Sequence, residues 1–250
     1  MIIQFAKRLR WLIDAVLIVT KGLAVCGRHK DHFWENAKSF SLNMWYLSLK
    51  SCYYSNVDAG DLAVTDFLSG YFNRESSVAS HIDFRQIACL IGEIDAIVKT
   101  RGVVYIAGNG GSAATAEHFA VDLGVGAHIR KKKKVVNAIS LSSNSAILTA
   151  LGNDVSFEDI FSMQLEIHNP GSADLVIVIS ASGDSPNILR LLETAKKYGV
   201  KTCAITGFEG GKAKNIADVS IHVPTNFGEY GIVEDLHLAI CHAVAEALRK

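Results

Sequence analysis

The strongest constraint on this chain is a regular alternation of short β-branched runs with helical stretches, which begins at residue 101. The runs are apolar almost throughout, as expected for strands that are buried on both faces of a sheet. The five predicted strands are Val103–Ala107, Val135–Leu141, Leu175–Ser180, Thr202–Thr206 and Val219–Val223. The predicted helices between them are Ser112–Leu123, Ala146–Leu151 with Phe157–Ile167, Pro186–Tyr198, Gly211–Ala217 and one within Gly231–Arg249. This order predicts an α/β fold with a doubly wound, five-stranded parallel sheet, which binds ligands beyond the carboxyl ends of its strands.

The remainder of the chain divides near residue 55. Residues 1–55 contain scattered aromatic and basic side chains without a clear period, and we expect an accessory helical extension of unknown role. Residues 56–250 form the predicted main domain, in which a helical lead-in at 56–100 precedes the α/β core at 101–250. Apolar residues recur at helical spacing between Asp61 and Lys99, which favours two helices.

Composition narrows the function classes. The chain has 25 Lys and Arg against 25 Asp and Glu, so no overall positive charge attracts nucleic acid or an anionic membrane. Five cysteines without CxxC spacing argue against a disulfide framework and favour the reducing cytoplasm. The apolar run after Arg10 resembles an export signal, but Asp14 and Lys21 interrupt it, and we favour an amphipathic helix over a membrane span.

The first two candidate binding sites are loops at strand ends. The first strand runs into AGNGGSAATAEHF, where glycines let the backbone approach a ligand and Ser112 is placed to cap the next helix. The third strand ends in ISASGDSPNIL, where Ser180, Ser182 and Ser185 precede a helix and form a neutral cradle for a phosphate monoester. The alternatives are a tight connection for the first loop and helix capping by Ser185 for the second.

Two further groups are polar or ionisable. Asn153 and Asp154 follow the second strand and are either turn formers or contacts to a polyhydroxylated ligand. His118 and Asp122 are four residues apart on one helix face and could hold a divalent metal. Glu234 and His242 lie about 12 Å apart on a continuous helix, so either the helix begins after Glu234 or two subunits share the site.

Taken together, these residues resemble the sugar isomerase (SIS) family in its phosphoheptose isomerase branch, from about residue 60 to the end of the sequence. The segments that carry the resemblance are YIAGNGGSAATAEHFAVDL, ISLSSNSAILTALGND, SFEDIF, ISASGDSPNIL, AITGFEGGKAKNIADVSIHVP and IVEDLHLAICH. The resemblance implies a flavodoxin-like sheet, a homotetramer with sites at subunit interfaces, and interconversion of sedoheptulose 7-phosphate with D-glycero-D-manno-heptose 7-phosphate for a surface polysaccharide.

The resemblance also assigns roles by position. The implied contacts to the phosphosugar are Asn109, Gly110, Gly111, Asn153, Asp154, Ser180, Ala181, Ser182, Ser185 and Glu234. The implied ligands of a zinc or other divalent ion are His118, Asp122, Glu234 and His242. Asp122 and Glu234 replace the family's usual glutamate and glutamine. Asp122 is the implied base and His242 the implied acid of an enediol proton transfer.

Two other functions fit the same residues. The fold also serves as a non-catalytic phosphosugar sensor or scaffold, but such relatives tend to lose the histidines that are present here as His118 and His242. An isomerase of a different phosphosugar is compatible with every segment. Arg130–Lys134 is predicted to be a solvated loop, with guidance of an anionic substrate as the alternative. Cys241 and His237 are predicted to be packing residues, and His222 a satisfied sheet residue.

Overall fold

A computed structural model describes residues 59–129 and 135–250. The predicted extension at 1–55, its boundary with the main domain and the basic segment Arg130–Lys134 lie outside these residues. The chain divides into two compact units, residues 1–66 and 67–250, and the second contains the sheet. Within the described residues, no helix combines the length and the apolar character that crossing a bilayer requires.

The sheet has five strands, all parallel, in the order β2-β1-β3-β4-β5. The strands are β1 Val103–Gly108, β2 Asn137–Ser140, β3 Leu175–Ser180, β4 Lys201–Thr206 and β5 Val219–His222. The predicted fold class is confirmed. The strand order reverses between β1 and β3, so the ends of these two strands form the crevice in which such sheets bind ligands.

Helices cover both faces of the sheet. In chain order the α-helices are α1 Ala59–Ala79, α2 Phe84–Thr100, α3 Gly111–Val121, α4 Ala127–Ile129, α5 Ser145–Asp154, α6 Ser162–Ile167, α7 Pro186–Lys197, α8 Gly211–Ile216 and α9 Tyr230–Leu248. A π-helical segment, Asp122–Gly126, joins α3 to α4, and a 3₁₀ turn, Phe157–Asp159, precedes α6. The two predicted lead-in helices are therefore present as α1 and α2.

The alternating side chains of the strands build two separate cores. Val104 and Ile106 of β1 point into a core that α2, α3 and α9 close on one face, whereas Tyr105 and Ala107 point into a core that α6 and α7 close on the other. Because both faces are covered, the central strand β3 is buried along its whole length. The apolar pattern of the sequence follows from this double burial.

Several predicted boundaries were wrong. The second strand is Asn137–Ser140 rather than Val135–Leu141, because the Val136 amide donates to the Leu123 carbonyl (3.1 Å) instead of joining the ladder. Ser112 does not cap α3, which begins at Gly111 after a Gly110 N-cap. Asn153 and Asp154 are not turn residues, since they form the last turn of α5.

Candidate functional site

A pocket of about 180 Å³ opens where β1 and β3 end. Its lining residues are Asn109, Ser112, Ile179, Ser180, Ala181, Ser182, Ser185, Tyr230 and Glu234. The structure therefore brings the glycine turn and the serine loop, which are about 70 residues apart in sequence, to one cavity. No Lys or Arg lies among these lining residues, so an anion would be held by hydroxyl groups, backbone amides and the N-terminal end of α7.

The serine loop is held in place by its own hydrogen bonds. Ser180 Oγ accepts from the Gly183 amide (3.1 Å), and Ser182 Oγ accepts from the Asp184 amide (3.3 Å). Gly183 has a φ of +68°, and a side chain there would overlap the Gly210 carbonyl. Ser185 is the N-cap of α7, yet its side chain makes no capping hydrogen bond. Its hydroxyl group is therefore not used by the helix, contrary to the capping alternative.

A reciprocal amide pair joins the two loops. Asn109 Nδ2 donates to Asn187 Oδ1, and Asn187 Nδ2 donates back to Asn109 Oδ1, each at 2.9 Å. Asn187 is only 1% exposed, so the pair fixes the position of Asn109 in the pocket wall. Sequence reasoning missed Asn187, which reads as an ordinary polar residue in the first turn of a helix.

Glu234 belongs to the pocket in this chain. Its carboxylate lies against Gly111, at the place where any side chain on residue 111 would stand. Helix α9 is continuous from Tyr230 to Leu248, so the possibility that the helix begins after Glu234 is wrong. Eight residues of this helix, a rise of about 12 Å, separate Glu234 from His242. Glu234 therefore lines the pocket at the ends of β1 and β3, apart from the histidines of its own chain.

Outside the pocket lies a cluster of three side chains, His118, Asp122 and His242, whose ligand atoms all lie within 4.8 Å of one another. The two imidazole Nε2 atoms are 2.9 Å apart. Asp122 Oδ2 lies 3.4 Å from His118 Nε2 and 3.9 Å from His242 Nε2. Both histidine side chains are about half exposed, so the cluster is open to solvent.

This donor set fits a divalent metal. Ligand atoms on a tetrahedral zinc ion stand roughly 3.3 Å apart, close to the separations seen here, and catalytic zinc sites use three protein ligands with one open position. Two imidazoles and one carboxylate on a solvent-facing surface meet that description. Of the four predicted ligands, the structure brings three together within one chain, and the fourth, Glu234, lies elsewhere.

The remaining predicted site residues are distributed as follows. Gly110, with a φ of +54°, is exposed at the turn before α3, and Ala181 lines the pocket. Asn153 and Asp154 are exposed and hydrogen-bonded to each other (2.7 Å), and they do not line the pocket of this chain. Their contact with a ligand stays a prediction.

Other titratable groups lie in the core. Cys241 is 1% exposed and burial raises its pKa, as it does for Cys203, which agrees with a packing role. His237 is also 1% exposed, and burial lowers its pKa to about 4. His222 Nδ1 lies 3.3 Å from Thr206 Oγ1 in the neighbouring strand. None of these groups reaches the pocket lining.

Comparison with known proteins agrees with this geometry. Residues 71–207 match the SIS domain family. A phosphoheptose isomerase from Akkermansia muciniphila is 36% identical over 176 residues, which cover 67% of this chain and 90% of that protein. A phosphoheptose isomerase from Chlorobaculum parvum is 36% identical over 177 residues, covering 70% of this chain and 83% of its own length.

A solved structure gives the same result for the fold. The phosphoheptose isomerase from Neisseria gonorrhoeae superimposes with a TM-score of 0.66 and 26% identity, covering 75% of this chain and 97% of that one. The match to the SIS domain family, over residues 71–207, spans more than half of the chain. The chain belongs to the SIS domain family, within its phosphoheptose isomerases.

Proposed function

We propose that this chain is an aldose–ketose isomerase that interconverts sedoheptulose 7-phosphate and D-glycero-D-manno-heptose 7-phosphate. The observation that carries the proposal is the presence, on one SIS fold, of a serine-lined pocket at a helix N-terminus and of a carboxylate beside two imidazoles. The relatives named phosphoheptose isomerase support the same substrate.

The pocket suits the phosphate end of the substrate. The hydroxyl groups of Ser180, Ser182 and Ser185, together with the Ala181 amide, surround a space at the N-terminal end of α7. Asn109 and Glu234 line the same space and would contact sugar hydroxyl groups. Gly111, which lies against the Glu234 carboxylate, and Gly110 beside it would extend these contacts. We place the phosphate against the serines and the sugar chain toward the glycine turn.

The cluster of His118, Asp122 and His242 has the groups needed for proton transfer at C1 and C2 of the substrate. Asp122 would remove a proton from C1 of the ketose, and the electrons of that C–H bond would form the C1–C2 double bond of an enediol. His242 would give a proton to the carbonyl oxygen at C2 in the same step. Protonated Asp122 would then return its proton to C2, and His242 would take the proton of O1, so that the aldose forms and both side chains regain their starting states. Asp122 Oδ2 and His242 Nε2 are 3.9 Å apart, a separation at which both groups could contact the same small substrate.

A zinc or similar divalent ion fits His118, Asp122 and His242, and when bound it would polarise the substrate carbonyl group. Asp122 would then serve both as a ligand and as the base. His118 has no other role in the proposed chemistry, so its replacement tests metal binding separately from proton transfer.

We further propose a homotetramer in which subunits share each site, with Glu234 of one chain completing the cluster of another. The position of Glu234, about 12 Å along α9 from its own His242, supports a site built from more than one chain. The unpaired thiols of Cys89, Cys203 and Cys241 favour a reducing cytoplasm, and the product would supply heptose for a surface polysaccharide.

The decisive experiment is an NMR assay of isomerisation with sedoheptulose 7-phosphate, with and without Zn²⁺, on wild type, His118→Ala and His242→Ala. We expect metal-dependent turnover in wild type and its loss in both variants. No turnover in wild type, together with thermal stabilisation by phosphosugars, would contradict the isomerase and indicate a non-catalytic binding protein. Turnover of a different phosphosugar alone would replace the substrate but keep the reaction class.

A further inference from the structure

The two carboxylate oxygens of Asp122 have different surroundings. Oδ2 faces the imidazoles of His118 and His242. Oδ1 accepts a hydrogen bond from Arg249 Nη2 at 3.0 Å, and the same nitrogen donates to the Asp122 backbone carbonyl at 2.8 Å. Two contacts from one guanidinium nitrogen hold both the side chain and the backbone of this residue.

Arg249 is buried to an extent that is unusual for an arginine. Its side chain is 5% exposed, whereas Asp122 is 16% exposed. Its other terminal nitrogen, Nη1, donates to Glu246 Oε1 at 2.6 Å, and the Glu246 side chain is 66% exposed. The guanidinium group is therefore anchored on one side by a solvent-facing glutamate and directed on the other side toward the cluster.

The local backbone makes room for this contact. Asp122 begins the π-helical segment Asp122–Gly126, and such segments are frequent at functional sites. A Cβ on Gly126 would stand 3.3 Å from Arg249 Nη2 and 3.4 Å from Asp122 Oδ1. Gly126 therefore lies directly beside the contact between the arginine and the carboxylate.

We propose that Arg249 is a positioning residue that holds Asp122 with only Oδ2 presented to His118 and His242. Aspartate is one methylene shorter than the glutamate usual at this position, so the direction of its carboxylate depends on the contacts that hold it. Arg249 supplies two of these contacts, one at Oδ1 and one at the backbone carbonyl. This inference rests on the proposed metal cluster, but it concerns the geometry of the ligand and not the identity of the sugar.

The test is Co²⁺ binding by the metal-stripped full chain. Binding is measured by equilibrium titration, with the visible absorption of the bound ion as the signal. The variants are Arg249→Met, which removes the donors, Arg249→Lys, which keeps a charge and a donor, and Glu246→Gln, a matched control that alters Arg249 on its other side. His118→Ala identifies the Co²⁺ signal with this cluster. Thermal unfolding of each metal-free variant is measured in parallel.

We expect Arg249→Met to bind Co²⁺ about 10- to 100-fold more weakly than wild type, with a changed absorption spectrum, as for other residues that orient metal ligands. Arg249→Lys should recover part of the loss, and Glu246→Gln should behave like wild type. Wild-type affinity and spectrum in a folded Arg249→Met would overturn the inference. A lower melting temperature with unchanged Co²⁺ binding would overturn it as well, because that is the result of a purely structural role.

If Arg249→Met does not fold, Arg249→Gln decides, since this neutral and shorter side chain stays polar but cannot keep both hydrogen bonds to Asp122. Weaker Co²⁺ binding then supports the inference, and unchanged binding overturns it. Wild type that binds Co²⁺ but does not isomerise sedoheptulose 7-phosphate would contradict the proposed function. In that case, Co²⁺ binding by the Arg249 variants would still test whether Arg249 positions Asp122. Wild type that binds no Co²⁺ overturns the inference itself.

Discussion

At the scale of single residues, Gly108 and Gly111 flank the same turn but face different neighbours. A methyl group on Gly108 would overlap the backbone carbonyl group of Ser112, which the helix holds fixed. A methyl group on Gly111 would instead meet the carboxylate of Glu234, the end of a flexible side chain that can move away. A substitution at Gly108 should therefore affect mainly the stability of the turn, and one at Gly111 mainly the shape of the pocket.

We expect Gly108→Ala to destabilise the protein by about 3 kcal/mol, because the backbone must shift to relieve the overlap. Gly111→Ala should change the free energy of unfolding by about 1 kcal/mol or less, while raising KM for the sugar about tenfold through displacement of Glu234. Urea unfolding and steady-state kinetics measure the two effects. Equal stability losses in both variants would show that Glu234 is not free to move.

The amide pair gives a second residue-scale prediction. Asn187→Asp places a negative charge beside the phosphate pocket and sets two acceptors against each other at Asn109. Asn187→Leu removes the hydrogen bonds without adding a charge. We expect calorimetric affinity for inorganic phosphate to fall in both variants, and at least about tenfold further in Asn187→Asp. Similar affinities in the two variants would place the anion away from Asn109.

At the scale of elements, α9 carries the groups that sequence alone could not assign. Its inner face packs on the sheet through apolar residues and the buried His237. The periodicity of Gly231–Arg249 predicted a helix, but it could not show that the helix already includes Glu234, because a start before or after that residue gives the same apolar pattern. Continuity of α9 is what separates Glu234 from His242.

Burial of His237 predicts a pH dependence of stability. Its folded-state pKa of about 4 is depressed below the ordinary value of about 6.5, so between these values the unfolded chain binds a proton that the folded chain does not. The stability contribution is therefore fully present above pH 6.5 and falls as the pH drops toward 4. We expect wild type to lose about 3 kcal/mol more than His237→Leu between pH 7 and pH 4.

Urea unfolding at half-unit pH intervals checks this prediction. The comparison with His237→Leu cancels the titration of the other histidines, since both proteins carry them. Parallel stability curves for the two proteins would show that the folded state admits the proton at this site.

At the scale of the whole molecule, the sheet and the site differ in how far the sequence determines them. Strands buried on both faces leave a local signature, so β1, β3 and β4 were predicted to within a residue or two. The contacts that shape the site join distant residues: Asn109 with Asn187, 78 residues apart, and Asp122 with Arg249, 127 residues apart. No local pattern marks such pairs, because only the packing of α9 and α7 on the sheet brings them together.

Site sharing between subunits can be tested by complementation. Ser182→Asp should block the phosphate pocket by charge repulsion, and His242→Ala should disable the cluster, so each homo-oligomer should be inactive. If one chain's pocket works with another chain's cluster, co-expressed mixed oligomers should recover part of the wild-type activity. Mixed oligomers as inactive as both parents would assign the pocket and the cluster to a single chain.

The reciprocal amide pair also bears on how this protein ages. Asn109 precedes Gly110, and an asparagine before glycine loses its amide nitrogen readily when its side chain turns toward the following backbone nitrogen. In this reaction the backbone nitrogen attacks the side-chain carbonyl carbon. The two hydrogen bonds to Asn187 restrict the rotation of the carboxamide that the attack requires. Conversion of the Asn109 carboxamide to a carboxylate would place a permanent negative charge in the wall of an anion pocket. Asn187, which orients Asn109, therefore also protects it from deamidation during storage.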